Sequence, residues 1–234
     1  MKIITIEKID LKSQGKTTTC NAYYAHVQIT DVSSRAQEMI NITLDTSWIA
    51  PLNSVAKATY EARSQRTIEK LTADIFNLQE DTVTKEFGEY MISHAAQSAL
   101  ETIKHKRAPL AELWKEKVIG NPGFDFHTES ELKHISFGEA KYSGSSNPYR
   151  DALVQISDFI KLEKDKSELL DLQNFFSEES IENFIKDKKS YTAAFSINAK
   201  SPEKIIENAI KSENIDQLLL HSELFLIGIE VIKP

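Results

Sequence analysis

An α/β fold is what this sequence predicts: a mixed sheet flanked by helices, with a small β-rich lobe at its N-terminus. Three observations carry the prediction. A long helical pattern occupies residues 82–103, two strand patterns face each other across a turn within residues 120–142, and residues 223–232 form a nearly continuous apolar run. Such a run suits a strand covered on both faces. The expected division is an N-terminal lobe over residues 1–74 and a core over residues 75–234, with a charged helical insertion at about 163–189.

In chain order, Ile4, Ile6 and Ile9 suggest a first strand, residues 22–30 a second across a turn at Gln14-Gly15-Lys16, and residues 41–44 a third. Pro51 and Asn53 then precede a polar helix over about 54–71. The lobe offers no recognisable chemistry, so docking a partner or covering a substrate is its expected role. In the helix at 82–103, Asp81 or Thr82 is the expected cap, and Phe87, Tyr90, Met91, His94 and Ala95 form one apolar stripe. Ile92, Ala96, Ala99 and Ile103 form a second stripe, so this helix is expected to be buried on more than one side. Glu89 lies on that second stripe, where a carboxylate needs a partner. Residues 112–118 are the expected first core strand. Pro148, with Asn147 as cap, starts a helix whose core face is Ala152, Leu153, Ile156, Phe159 and Ile160. A strand at 191–198 and a helix at 202–211 precede the last strand.

The chemistry concentrates in residues 120–142. Residues two apart on a strand share a face, which places Asp125 with His127, Phe124 with Phe126, and Glu139 with Lys141. A hairpin would bring Asp125 beside Glu139 and Lys141. Acid-x-Lys triplets also occur at Asp10, Glu131 and Asp187, but only Glu139-Ala140-Lys141 follows an apolar alternation, Ile135 and Phe137, and a Gly-Phe-Asp-Phe strand. The plain alternative is an exposed cross-strand salt bridge.

These residues resemble the PD-(D/E)XK nuclease superfamily, whose members carry an acid on one strand and acid-x-Lys on the next. Asp125 matches the first acid and Glu139-Ala140-Lys141 the rest; Pro122 departs from the pattern by preceding Asp125 by three positions instead of one. The resemblance implies a restriction-endonuclease-like core in which Asp125, Glu139 and the Ala140 carbonyl hold Mg2+, or Mn2+, while Lys141 orients water. It also implies a helix glutamate at the metal, matched by Glu89 with Glu86 as the second choice. Gln155 matches the first residue of a Gln-x-x-x-Tyr element, whose tyrosine is replaced here by Phe159. His127 would admit a softer metal, although an all-oxygen Mg2+ site is the better match. His94 reads as a core histidine.

A narrower resemblance rests on Phe87-Gly88-Glu89, the Gly-Phe-Asp strand, Gly-Glu-Ala-Lys and the alanine in the first turn of the next helix. Together they are similar to the nuclease subunit of the Hachiman antiphage defence system, which works with a large helicase. That implies a DNA endonuclease controlled by a helicase/ATPase partner. The rivals are a restriction or repair nuclease acting alone and a catalytically silent fold used for assembly.

Composition fits this reading. The chain of 234 residues can bury a core unaided. Its single cysteine, Cys20, excludes an intramolecular disulfide and a cysteine zinc cluster, and suits a cytoplasmic protein. The sequence offers neither a membrane span nor a signal peptide. With a formal net charge of −7, it should bind bare DNA weakly unless a local basic face or a partner supplies the grip. The candidate cations are Lys104 to Arg107, and Lys115 with Lys117.

Overall fold

The computed structural model describes residues 1–76, 84–115 and 122–232. Strands β1 (Lys2–Lys8) and β2 (Asn21–Ile29) pair antiparallel. Helix α1 (Val32–Leu44) starts where Asp31 caps it, the carboxylate accepting from Ser34 N at 2.8 Å, and buries Arg35, Met39, Ile40 and Thr43. Helix α2 (Ser54–Phe76) follows, then α3 (Lys85–Glu101), capped by Thr84. After α3 come the two-residue strand β3 (Lys106–Arg107), the short helix α4 (Ala111–Trp114), and the hairpin of β4 (Phe126–Glu129) and β5 (Ile135–Lys141). Helix α5 (Tyr149–Lys161) leads into α6 (Lys164–Ser167), α7 (Leu169–Leu172) and α8 (Glu178–Ile185). Strand β6 (Ser190–Ile197), helix α9 (Pro202–Lys211) and strand β7 (Glu223–Val231) complete the fold.

Among the described residues, the seven strands join one mixed sheet in the order β1-β2-β7-β6-β5-β4-β3. The inner four, β2, β7, β6 and β5, run parallel, while β1, β4 and β3 are antiparallel to their neighbours. Parallel strands need helices on both faces. Here α5 and α9 cover one face, over Phe137, Tyr191, Phe195 and Leu226, and α1 with α3 covers the other, over Ala140, Ala194, Ile227 and Phe225. Every residue of β6 is buried. Among the described residues, no helix is long and apolar enough to cross a membrane.

Several expectations need correction. Residues 41–44 are the last turn of α1, because the buried positions Arg35, Met39, Ile40 and Thr43 recur at helical spacing. Residues 111–114 form α4 where a first core strand is expected, with residues 116–118 of that expectation outside the described residues. The consecutive residues Leu113 and Trp114 are both buried, which a strand with one solvent face does not give, and the indole N–H donates to Pro109 O at 2.9 Å. The strand between α3 and the hairpin is β3 instead. Asp81 and Thr82, the expected caps of α3, lie outside the described residues. Asn147 is not a cap: its Oδ1 accepts from Asn198 N, and Pro148 itself precedes α5. The N-terminal segment forms no sheet of its own, since β2 pairs along its whole length with β7.

The charged stretch 163–189 is built into the core. Asp165 is 1% exposed and accepts from Lys189 Nζ at 2.7 Å and from the Tyr191 hydroxyl at 2.8 Å. Asp171 accepts from Tyr60 of α2 at 2.8 Å, and the Phe175 ring packs on Trp48, Tyr60 and Trp114.

Candidate active site

Strand β5 supplies the centre of the site. In its register with β4, Phe126 faces Gly138 and His127 faces Phe137. Just before β4 regularity breaks: Asp125 N also donates to Gly138 O, at 2.9 Å, so two consecutive residues address one glycine in the manner of a β-bulge. The irregularity explains why Phe124 and Phe126 do not share a face as strict alternation requires. Phe124 joins the α5 side of the core and Phe126 the α3 side.

Asp125 is pinned on several sides. Its carbonyl accepts from Ala111 N at 3.1 Å, and its Oδ2 accepts from Ala140 N at 2.8 Å. The N–H and C=O of one strand residue point to the same edge, so the Ala140 carbonyl is turned toward the Asp125 side. Lys141 Nζ stands 2.7 Å from Glu139 Oε1 and 3.9 Å from Glu89 Oε1. Glu89 also lies 3.8 Å from Lys85. It reaches the site because α3 crosses close to Tyr142, with Gly88 against the tyrosine ring: a Cβ on Gly88 would lie 2.1 Å from Tyr142 Cδ1.

The electrostatics are those of crowded acids. Burial, then the nearby Asp125 charge, holds Glu139 well above the usual carboxylate range despite Lys141. Burial and the Glu112 charge push Asp125 up to about 6, against the Ala140 N–H and Lys141. Burial likewise raises Glu89, with Lys141 opposing. Lys141 responds in kind: burial would lower it, but Glu139, Asp125 and Glu89 together hold the ammonium above its ordinary value. Glu139 Oε2 and Glu89 Oε1 are buried without a hydrogen-bond partner.

This donor set bears directly on a metal. Among the described residues, no group of three or more His, Cys, Asp or Glu side chains stands ready to hold an ion. Mg2+ does not require one. It is usually held by one or two carboxylates, with waters and substrate phosphate completing its shell. Asp125, Glu139 and the Ala140 carbonyl are donors of that kind, with Glu89 nearby, its Oε1 3.9 Å from Lys141 Nζ, and a dication would relieve the acid crowding that one ammonium leaves.

His127 is not a ligand in this arrangement. It is fully buried, its Nε2 2.6 Å from Glu168 Oε2 and its ring against Trp114 and Phe137. Burial lowers its pKa, so the neutral ring donates from Nε2 to a carboxylate. Gln155 is half-buried on α5 and, among the described residues, has no hydrogen bond or ion pair with the site. Phe159 packs 5.1 Å from Phe124. His94, expected in the core, is buried there, with its Nδ1 2.6 Å from Arg35 and its pKa pushed down to about 3, chiefly by burial.

The candidate basic groups have partners within the chain, Lys104 and Arg107 in exposed pairs. His105 is buried and bonds Thr128, Lys104 pairs with Glu131, Lys106 donates to Phe175 O and Arg107 pairs with Glu101. Lys115 bonds Glu168, and Lys117 lies outside the described residues. Glu168 and Tyr142 are the site's neighbours that sequence reasoning missed, and Lys115, singled out there only as a candidate cation, is the group that holds Glu168. No local signal separates Glu168 from the solvated acids around it, such as Glu163.

No protein-family model matches this chain, and no curated protein matches it.

Proposed function

We propose that the protein is a metal-dependent DNA endonuclease with a PD-(D/E)XK, restriction-endonuclease-like core, acting as the effector of a cytoplasmic antiphage complex of the Hachiman kind. The observation that carries this reading is the convergence of Glu139, Lys141 and Glu89 beside Asp125, whose carboxylate is bound to the backbone between Glu139 and Lys141.

In this reading Asp125, Glu139 and the Ala140 carbonyl hold Mg2+ or Mn2+, and Glu89 contributes directly or through water. When bound, the ion supplies charge neutralisation at the scissile phosphate and lowers the pKa of a water molecule. The water oxygen forms a bond to phosphorus and loses a proton to solvent, while the bond from phosphorus to one ester oxygen breaks and that oxygen leaves with the bonding pair and takes a proton from solvent. Lys141 donates to the attacking water or to a non-bridging oxygen, where charge accumulates. Cys20 is buried and its thiol is pushed up to about 12 by burial, so it is no nucleophile.

The chain's formal net charge of −7 supports a partner that brings the DNA. A helicase suits that role, since it holds the strand that an acidic protein binds weakly. The test is cleavage of linear and circular plasmid DNA with Mg2+, Mn2+ or EDTA, alone and with the genomically adjacent partner, comparing wild type with Glu139→Ala/Lys141→Ala after both are shown to fold. Metal-dependent cleavage by wild type and not by the double variant is expected. Cleavage without the partner favours a nuclease acting independently. Inertness in both arms, with no metal bound, favours an assembly module and overturns the proposal.

A further inference from the structure

The segment around Asp125 is gripped by a buried ion cluster from a distant part of the chain. Glu168, between α6 and α7, accepts from Phe124 N at 3.1 Å through Oε1 and meets His127 Nε2 at 2.6 Å through Oε2. Lys115, one residue beyond α4, donates to Glu168 Oε1 at 2.5 Å and to Phe124 O at 2.5 Å. Both backbone polar groups of Phe124 are therefore held, as is the side chain two positions beyond Asp125. Gly123 makes the approach possible, since a Cβ there would lie 2.3 Å from Glu168 Oε1 and 3.0 Å from Lys115 Nζ. The glutamate and lysine side chains are only 8% and 18% exposed.

We infer that Glu168 is a positioning residue for Asp125, acting with Lys115 and His127 to fix the irregular backbone that aims this carboxylate at the Ala140 N–H and at the metal. The inference rests on the proposed nuclease reading. It gives the 163–189 stretch a role in the site: the turn between α6 and α7 holds one of the metal's carboxylates in place. Buried ion pairs are poor sources of net stability; this one satisfies the buried backbone of Phe124, and by holding the residue next to Asp125 it also fixes where that carboxylate starts from. Groups that orient metal ligands typically govern metal affinity and activity by about 10- to 100-fold.

The test compares wild type, Glu168→Gln and Gly123→Ala in three readouts: Mn2+ binding by electron paramagnetic resonance, DNA cleavage in the partner-containing assay, and hydrogen exchange of residues 122–129. The amide introduced by Glu168→Gln cannot accept on both sides as the carboxylate does, and the methyl group introduced by Gly123→Ala displaces Glu168 without changing its charge. The expected result is Mn2+ affinity weakened about 10- to 100-fold, cleavage reduced in parallel, and faster exchange confined to this segment. Folded variants with wild-type Mn2+ affinity and cleavage overturn the inference alone. If the Glu168→Gln variant does not fold, Gly123→Ala decides between these outcomes. A wild type that neither binds Mn2+ nor cuts DNA overturns the nuclease reading, and this inference with it.

Discussion

The ring of Tyr142 occupies the space that any side chain at Gly88 would enter, with Cδ1 2.1 Å from the ideal Cβ position. That contact sets the distance between α3 and the end of β5, and so the reach of Glu89 toward Lys141. Gly88→Ala should therefore force the ring or the helix to shift, costing about 1–3 kcal/mol as overpacking does. Urea denaturation of Gly88→Ala, Tyr142→Ala and the double variant reads it directly. The double variant should be more stable than the sum of the singles implies. A Gly88→Ala protein as stable as wild type would mean that the ring yields freely and does not position Glu89.

Acid crowding should give the metal-free protein an unusual pH response. The folded-state pKa values of Glu139, Asp125 and Glu89 are raised, Asp125 to about 6. For raised groups the unfolded chain binds fewer protons, so their contribution to stability is greatest in acid and is lost as pH rises through the folded values. Glu129 opposes this from below: held down to about 2, its stabilisation is already complete at weakly acidic pH. Between about pH 4 and 7, Glu139→Gln should flatten the loss of stability that wild type shows. Denaturation midpoints across that range check it, and parallel slopes for the two proteins would exclude crowding at Glu139.

Legibility in the sequence followed the range of the forces involved. The hairpin, α3, α9 and the last strand could be read because their apolar spacing is local, and so could the proximity of Asp125, Glu139 and Lys141, which one hairpin produces. Glu89 needed only the neighbouring helix. Segment 41–44 is helical where a strand is expected, and Asp31, three residues before Ser34, is the local signal of that helix start. Residues 111–114 are too few to show a period. Glu168 was illegible for a different reason: its partners Lys115, Phe124 and His127 are far away in sequence, and only the folded chain distinguishes its buried carboxylate from a solvated one.

The stretch 163–189 should behave as core in a stability measurement. Asp165 is the carboxylate that both Lys189 Nζ and the Tyr191 hydroxyl reach. Removing it as Asp165→Ala leaves a buried ammonium without its closest partner, at a cost of about 3–5 kcal/mol. Urea unfolding measures the loss. A cost below about 1 kcal/mol, the value of an exposed pair, would mean that this stretch is peripheral.

On the proposed nuclease reading, Lys141 is the residue that separates metal binding from catalysis. Its ammonium, 2.7 Å from Glu139 Oε1, competes with a dication for the oxygen that a metal would use. Lys141→Met should therefore bind Mg2+ at least as tightly as wild type, while cleavage falls about 100- to 1,000-fold for want of a donor at the phosphate. Thermal denaturation with and without Mg2+ reads binding, since ligand at about 100 times its Kd stabilises by about 2.7 kcal/mol. Protons compete for the same raised carboxylates, so the Mg2+-induced rise in Tm should be larger at about pH 8 than at about pH 5. Glu139→Ala should lose both the rise and the cleavage. A Lys141→Met protein that no longer responds to Mg2+ would place the lysine in organising the acids instead of in the chemical step.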